Sequence, residues 1–271
     1  MSEAGPFSPV VRLAERVGRS TVGGIEGIGH GASLLAESIY WVCLGWRRNQ
    51  PVRLPAVFSE MMEIGIRAIP IVMVLSAAIG IMLAIQGIHT SKIFGAESRV
   101  VIGIAFSVVR EFAPLITGIL IAGRSGSALA ARLSTMKINE EVDALTSMGI
   151  NPVRFLVVPA LLAMLIMLPA LTFFSDLVSL FAAGIYVNLD LGLSLAAYAD
   201  QTLDILSVDD LMHGLSKSAL FAFLIAIVAV VNGAAVTGGA EGVGRVTTRS
   251  VVHAITAIVI TDMLFAFLVT H

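Results

Sequence analysis

Between Ala68 and Ile88 the chain runs for 21 residues without a charged side chain. An α-helix needs about 20 mostly apolar residues to cross the hydrocarbon core of a bilayer, whereas a spanning β-strand needs about 9–11. Four further mostly apolar tracts follow, so the expected spans are 68–88, 100–123, 155–187, 218–240 and 250–270. Inside a bilayer each backbone N–H and C=O must be bonded within its own segment, so tracts of this length are helices. Charged residues make up 13% of the chain and mean hydropathy is +0.93. A soluble domain has about 25% charged residues, so this chain has too few to cover a water-facing surface. The expected fold is an all-α integral membrane protein. The third tract is read as one tilted helix, with Pro169 as the place where it would break.

Basic residues orient the spans. One side collects Arg12, Arg16, Arg19, Arg47, Arg48, Arg53 and Arg67, then Arg124, Arg132, Lys137 and Arg154, then Arg245 and Arg249, which is 13 against Lys92, Arg99 and Lys217 on the other. Positive charge stays inside, so the N-terminus and the second-to-third connection are expected in the cytoplasm and the C-terminus in the periplasm. The acidic 189–210 connection suits the outer side. No signal peptide is legible at the start, which lacks an early apolar core and a cleavage site.

Before the first span lie two amphipathic pieces. In 8–20, Val10, Val11, Leu13 and Val17 alternate with charges. In 31–48, Leu35, Ile39, Val42 and Trp46 fall on one helical stripe flanked by Trp41 and the Arg47–Arg48 pair. Residues 1–60 are therefore expected as a cytoplasmic or interfacial segment, with 31–48 lying along the membrane surface and a sixth span as its alternative. Residues 61–271 form the membrane domain.

Function classes narrow quickly. Cys43 is the single cysteine and the five histidines are scattered, so no disulfide, CxxC or metal site is legible. A net charge of -2 gives no nucleic-acid signal. The glycines of 232–250 form no GxxxxGK[ST] loop and read as a flexible turn. Arg110 and Glu111 stand together in the second tract. Each charge at a helix centre costs about 2.5–3.5 kcal/mol, and adjacent positions on a helix do not face one another. Each therefore needs water or a partner on another helix. One reading is a polar patch lining a transport cavity, loosened by Pro114. The other is a structural ion pair with Asp262 or Asp176.

The connection 135–160 reads as a short helix over 139–149, with Asn139 as cap, Glu140 and Glu141 in the first turn, Asp143 on an outer face, and Gly149 and Pro152 as stops. A rigid acidic helix between two spans suits transmission of force from a cytoplasmic partner. "GRSGSA" at 123–128 admits an intramembrane serine protease using Ser125 and His253, but small residues here also serve close helix packing. An ion channel would need more repeated intramembrane charge.

"REFAPLITGILIAGRSGSALAARL" (110–133), "NEEVDALTSMGINPVRFLVVP" (139–159) and "GRVTTRSVVHA" (244–254) resemble, in order, three segments of the MlaE/YrbE permease family. The resemblance covers about 60–271. It implies an interfacial helix, five spans and a coupling helix between the second and third. It implies a homodimer with a cytoplasmic ABC ATPase dimer, a periplasmic MCE-domain ring protein and a STAS-domain protein on the ATPase, in a bacterial inner membrane. It implies a lipid cargo, commonly phospholipid, with a sterol or hopanoid as the alternative, and ATP hydrolysis on a separate subunit, so no catalytic residue and no cofactor of its own. By position, Arg110 and Glu111 fall in the lipid cavity, and Glu140, Glu141 and Asp143 on the ATPase-coupling helix.

Overall fold

A computed structural model of the chain describes residues 52–96 and 99–270, together with 29, 33, 36–38, 40 and 41. The amphipathic piece expected at 8–20, and the interfacial role of 31–48, lie outside the described residues. Isolated positions of the second piece are helical. Glu37 accepts a hydrogen bond from Asn151 Nδ2 at 2.6 Å, and the Arg154 guanidinium lies 5.3 Å over the Trp41 ring. Among the described residues every regular element is helical.

Among the described residues, five helical stretches are long and apolar enough to cross a membrane: Leu54–Phe94, Val100–Ile138, Val153–Leu191, Val208–Ala234 and Gly239–Leu268. The first is two helices, Leu54–Ile64 and Ile69–Phe94, each with a proline in its first turn, joined through Gly65 and a 3₁₀ turn at Ile66–Ala68. Proline is tolerated there because the first N–H groups have no intrahelical partner. The third is unbroken: one helix runs from Val158 to Leu191 through Pro169.

Two expected boundaries are corrected. The fourth span begins at Val208, ten residues before the expected 218. Ser207 Oγ accepts from Asp210 N, while Asp210 Oδ2 accepts from Ser207 N, a complete capping box. Lys217 therefore sits inside a span and drops out of the outer basic count. The glycine-rich 232–250 stretch is not a flexible turn. The turn is confined to 235–238, and the fifth span's helix resumes at Gly239.

The first span packs along the third, the third against the fourth, and the fourth against the fifth and the far end of the second. Their common core holds Val72, Ile121, Met164, Leu168, Phe221, Ile225 and Ile258. Outward, Val74, Met82, Val252, Val259, Leu264 and Phe267 are exposed, the surface expected where acyl chains are the solvent.

The second and third spans are joined by a short helix, Glu141–Ser147. Ile138, Val142 and Leu145 turn inward, with Leu145 buried, and Gly149 in the left-handed region closes the helix. Asn139 is not its side-chain cap. Asn139 closes the preceding helix, its N–H donating to Thr135 O at 3.0 Å, and its amide reaches Glu141 Oε1 at 3.2 Å. Glu140, at φ 58°, makes the turn between the two helices.

Candidate functional site: a charged network among three spans

The second span is interrupted where its charges lie. Residues Val108–Phe112 form a π-turn, and Ala113 N–H donates to Val108 O, five residues back. Pro114 supplies the cause. It has no N–H, and its ring clashes with the carbonyl four residues earlier, that of Arg110. Widening the turn by one residue relieves the clash, and such turns gather at functional sites.

The fourth span meets this turn along Asp210, Gly214 and Lys217, spaced i, i+4 and i+7 on one helical face. A Cβ on Gly214 would stand 2.2 Å from the Val109 carbonyl oxygen, so only glycine lets the two backbones approach this closely. The approach brings Asp210 and Lys217 to the two charges of the turn. Arg110 Nε donates to Asp210 Oδ1 at 2.6 Å, and Arg110 Nη2 also reaches that oxygen. Asp210 Oδ2 accepts from Ser207 N at 2.8 Å and Ser207 Oγ at 2.6 Å. One carboxylate thus caps a helix and anchors a guanidinium.

Lys217 Nζ donates to Glu111 Oε2 at 2.6 Å and lies 3.0 Å from Asp262 Oδ1 of the fifth span. The Lys217 side chain is fully buried. An isolated buried charge costs several kcal/mol, and here two carboxylates offset it. Phe106 stacks 5.0 Å beneath the Arg110 guanidinium and Phe265 lies 5.6 Å from Lys217 Nζ. His213 packs edge-on against Phe265.

The network is two-faced. Asp210 and Lys217 side chains are 4% and 0% exposed, while Arg110 and Glu111 are 47% and 41% exposed. Sequence reasoning singled out Arg110 and Glu111 and offered Asp262 or Asp176 as their ion-pair partner; Arg110 pairs with Asp210 instead, and Asp262 meets Lys217. That reasoning placed Asp210 in a loop and Lys217 outside the membrane; the Ser207–Asp210 capping box was the available signal. Asp176 takes no part. It is 3% exposed within the third span, and its Oδ1 has no hydrogen-bond partner.

The remaining predicted positions lie elsewhere. Glu140, Glu141 and Asp143 are exposed on and before the connecting helix, with Lys137 Nζ 3.8 Å from Asp143 Oδ1. Ser125 is buried in a second π-turn, Ala122–Gly126, and His253 is exposed on the fifth span. No hydrogen bond joins Ser125 to His253, so the protease alternative lacks the nucleophile–base contact it requires. Among the described residues no group of three or more histidine, cysteine, aspartate or glutamate side chains is arranged to hold a metal ion.

Residues 57–268 match the family model described as Permease MlaE. A probable ABC transporter permease protein of Rickettsia typhi is 30% identical over 258 residues, covering 94% of this chain and 96% of that protein. A probable ABC transporter permease protein of a Synechocystis species is 33% identical over 211 residues, 78% of this chain and 80% of that one. The intermembrane phospholipid transport system permease protein MlaE of Haemophilus influenzae is 30% identical over 202 residues, 74% of this chain and 77% of that one.

Proposed function

This chain belongs to the MlaE permease family, and from that premise we propose that it is the membrane subunit of an ABC transporter moving phospholipid between the inner and outer membranes. The observation that carries this reading is the exposure of Arg110 and Glu111, 47% and 41%, in the middle of a span. Charges that open cannot face acyl chains; they need a wet cavity or a charged cargo. A phospholipid headgroup supplies a phosphate for Arg110, whose planar fork suits phosphate oxygens. Asp210 and Lys217 hold the pair in place from behind. The phospholipid relative supports the choice of cargo.

The cavity is completed by a second copy of the chain laid against the exposed charges. ATP is hydrolysed on a separate cytoplasmic ATPase dimer, which docks against Glu140, Glu141 and Asp143. An MCE-domain ring receives or delivers lipid on the periplasmic side, and a STAS-domain protein sits on the ATPase. Residues 1–60 serve as the cytoplasmic lead-in to a permease domain over 61–271, in a bacterial inner membrane with the N-terminus inside.

Two measurements test this. A native mass spectrum of the detergent-extracted complex should show two copies of the chain, the ATPase and bound phospholipid; a complex without phospholipid would overturn the cargo. Charge reversal at Glu140 and Asp143 together should leave thermal stability within about 0.5 kcal/mol, since both are surface positions. It should nevertheless weaken ATPase co-purification. Wild-type co-purification and ATPase rates would reduce the helix to a linker.

A further inference from the structure

A second polar site lies between the helix Leu54–Ile64 and the far end of the second span. It is a cavity of about 260 Å³ lined by Glu60, Glu63, Arg124, Ser125 and Arg132, with Met164 of the third span among its apolar walls. One water needs only about 10–15 Å³, so the space admits a much larger group. Arg124 lies 14 residues beyond Arg110, which is about 21 Å along a helix at 1.5 Å per residue. The cavity is therefore separate from the charged network.

Its lining is built but incompletely used. Arg132 Nη1 donates to Glu60 Oε1 at 2.6 Å. Arg124 Nη1 donates to Glu63 O at 3.1 Å, and its Nη2 stands 3.8 Å from Glu63 Oε1. A guanidinium has five N–H donors, so each keeps several free. Ser125 is 7% exposed and lines the cavity. It lies in the π-turn Ala122–Gly126, the kind of distortion that gathers at functional sites.

The charges select the occupant. A simple anion would meet two carboxylates, and a simple cation two guanidinium groups. Arg67 Nη1 already pairs with Glu63 Oε2 and Arg132 with Glu60 Oε1, which leaves Glu60 Oε2 and Glu63 Oε1 as the open acceptors. A group carrying both signs a few ångströms apart satisfies these together with the free guanidinium N–H groups. The cavity sits where the Leu54–Ile64 helix turns through residues 65–68 into the helix Ile69–Phe94, beside the start of the charge-free run 68–88 and so at the membrane-surface end expected for it. There, zwitterionic lipid headgroups are abundant. We propose that this cavity is a second lipid site on the cytoplasmic side. It takes a phosphoethanolamine-type headgroup, with phosphate on Arg124, Arg132 and Ser125 and ammonium on Glu60 and Glu63. The proposal rests on the lipid-transport reading and adds a station at which lipid is held before or after the central cavity.

The test uses the full complex, stripped of lipid and titrated with dihexanoyl phosphatidylethanolamine, dihexanoyl phosphatidylglycerol, free phosphoethanolamine and inorganic phosphate. Binding is read by native mass spectrometry. Arg132→Gln should weaken phosphatidylethanolamine binding about tenfold, the size expected for losing one charge-assisted hydrogen bond. Ser125→Ala should weaken it by a smaller factor with unchanged melting temperature, which guards against misfolding. Unchanged binding in both Arg132→Gln and Ser125→Ala would overturn the proposal while leaving the transport reading intact. Tighter binding of phosphatidylglycerol would overturn the zwitterion assignment. Equal binding of inorganic phosphate would make it a soluble-phosphate site. No phospholipid on any version, wild type included, would overturn the transport reading itself.

Discussion

Where the first span crosses the third, a Cβ on Gly80 would stand 2.1 Å from the Ser179 carbonyl oxygen, and where the second meets the fourth, one on Gly214 would stand 2.2 Å from that of Val109. The two crossings share this backbone device and differ in everything around it. At the first, Ser76 Oγ and Ser175 Oγ are 2.7 Å apart, and Ser179 Oγ donates to Ser76 O at 2.9 Å. All three serines are buried. The bonds are neutral and mutual, and no polar group of the three is left for an outside partner. At the second, the groups are charged, and two of them open outward. Small residues and hydroxyls are how membrane helices pack closely; intramembrane charges mark function. The comparison fits the first–third seam to architecture and the second–fourth contact to the lipid-handling role proposed for it.

The largest effect should come from Lys217→Leu. Lys217 is fully buried between Glu111 and Asp262. Its removal leaves two carboxylates facing one another, and breaking a buried pair costs about 3–5 kcal/mol. Thermal unfolding in detergent should show the loss, and adding Asp262→Asn should recover part of it. A change below about 1 kcal/mol would mean that water already reaches the carboxylates, and the contrast between a dry base and a wet face would fail.

Next is Arg110→Leu. Arg110 is half exposed, and its partner Asp210 keeps both bonds to Ser207. The stability change should therefore be that of an open ion pair, about 0–1 kcal/mol. Phospholipid transfer in reconstituted vesicles should fall by about tenfold, one charge-assisted contact. The opposite pattern would make Arg110 purely structural: a large stability loss rescued by Asp210→Asn, with transfer unchanged.

The anomaly of Arg110 and Glu111 was legible because a charge inside an apolar tract stands out against its neighbours. Their partners were not, for a physical reason. Cutting a tract at its charges places span ends wherever a charge lies, whereas a helix end is set by its cap. Ser207 and Asp210 start the fourth helix, so Lys217 lies two turns inside it. The third tract reads correctly as one helix because its length admits one span and not two. The fifth begins earlier than hydropathy suggests because glycines dilute the apolar signal without ending the helix. The π-turn at Val108–Phe112 leaves only Pro114 as a trace. The Glu60–Arg132 pairing joins residues 72 positions apart, which no local pattern encodes.

The smallest effect, and the sharpest test of the contrast, belongs to the serine seam. Ser76→Ala and Ser175→Ala each remove half of one hydroxyl–hydroxyl bond inside the bilayer. Such bonds average about 0.6 kcal/mol in membrane proteins, because the unfolded chain in the membrane also finds partners. Each single variant should lose about that much. The double variant should lose less than the sum, since no hydroxyl of the pair is then left unbonded. Transfer rates should stay at wild type in all three, because this seam holds two spans together and touches no cargo. A fall in transfer at unchanged melting temperature would break the comparison. It would mean that the first and third spans slide against one another during the cycle, and that their seam is a moving joint rather than a fixed one.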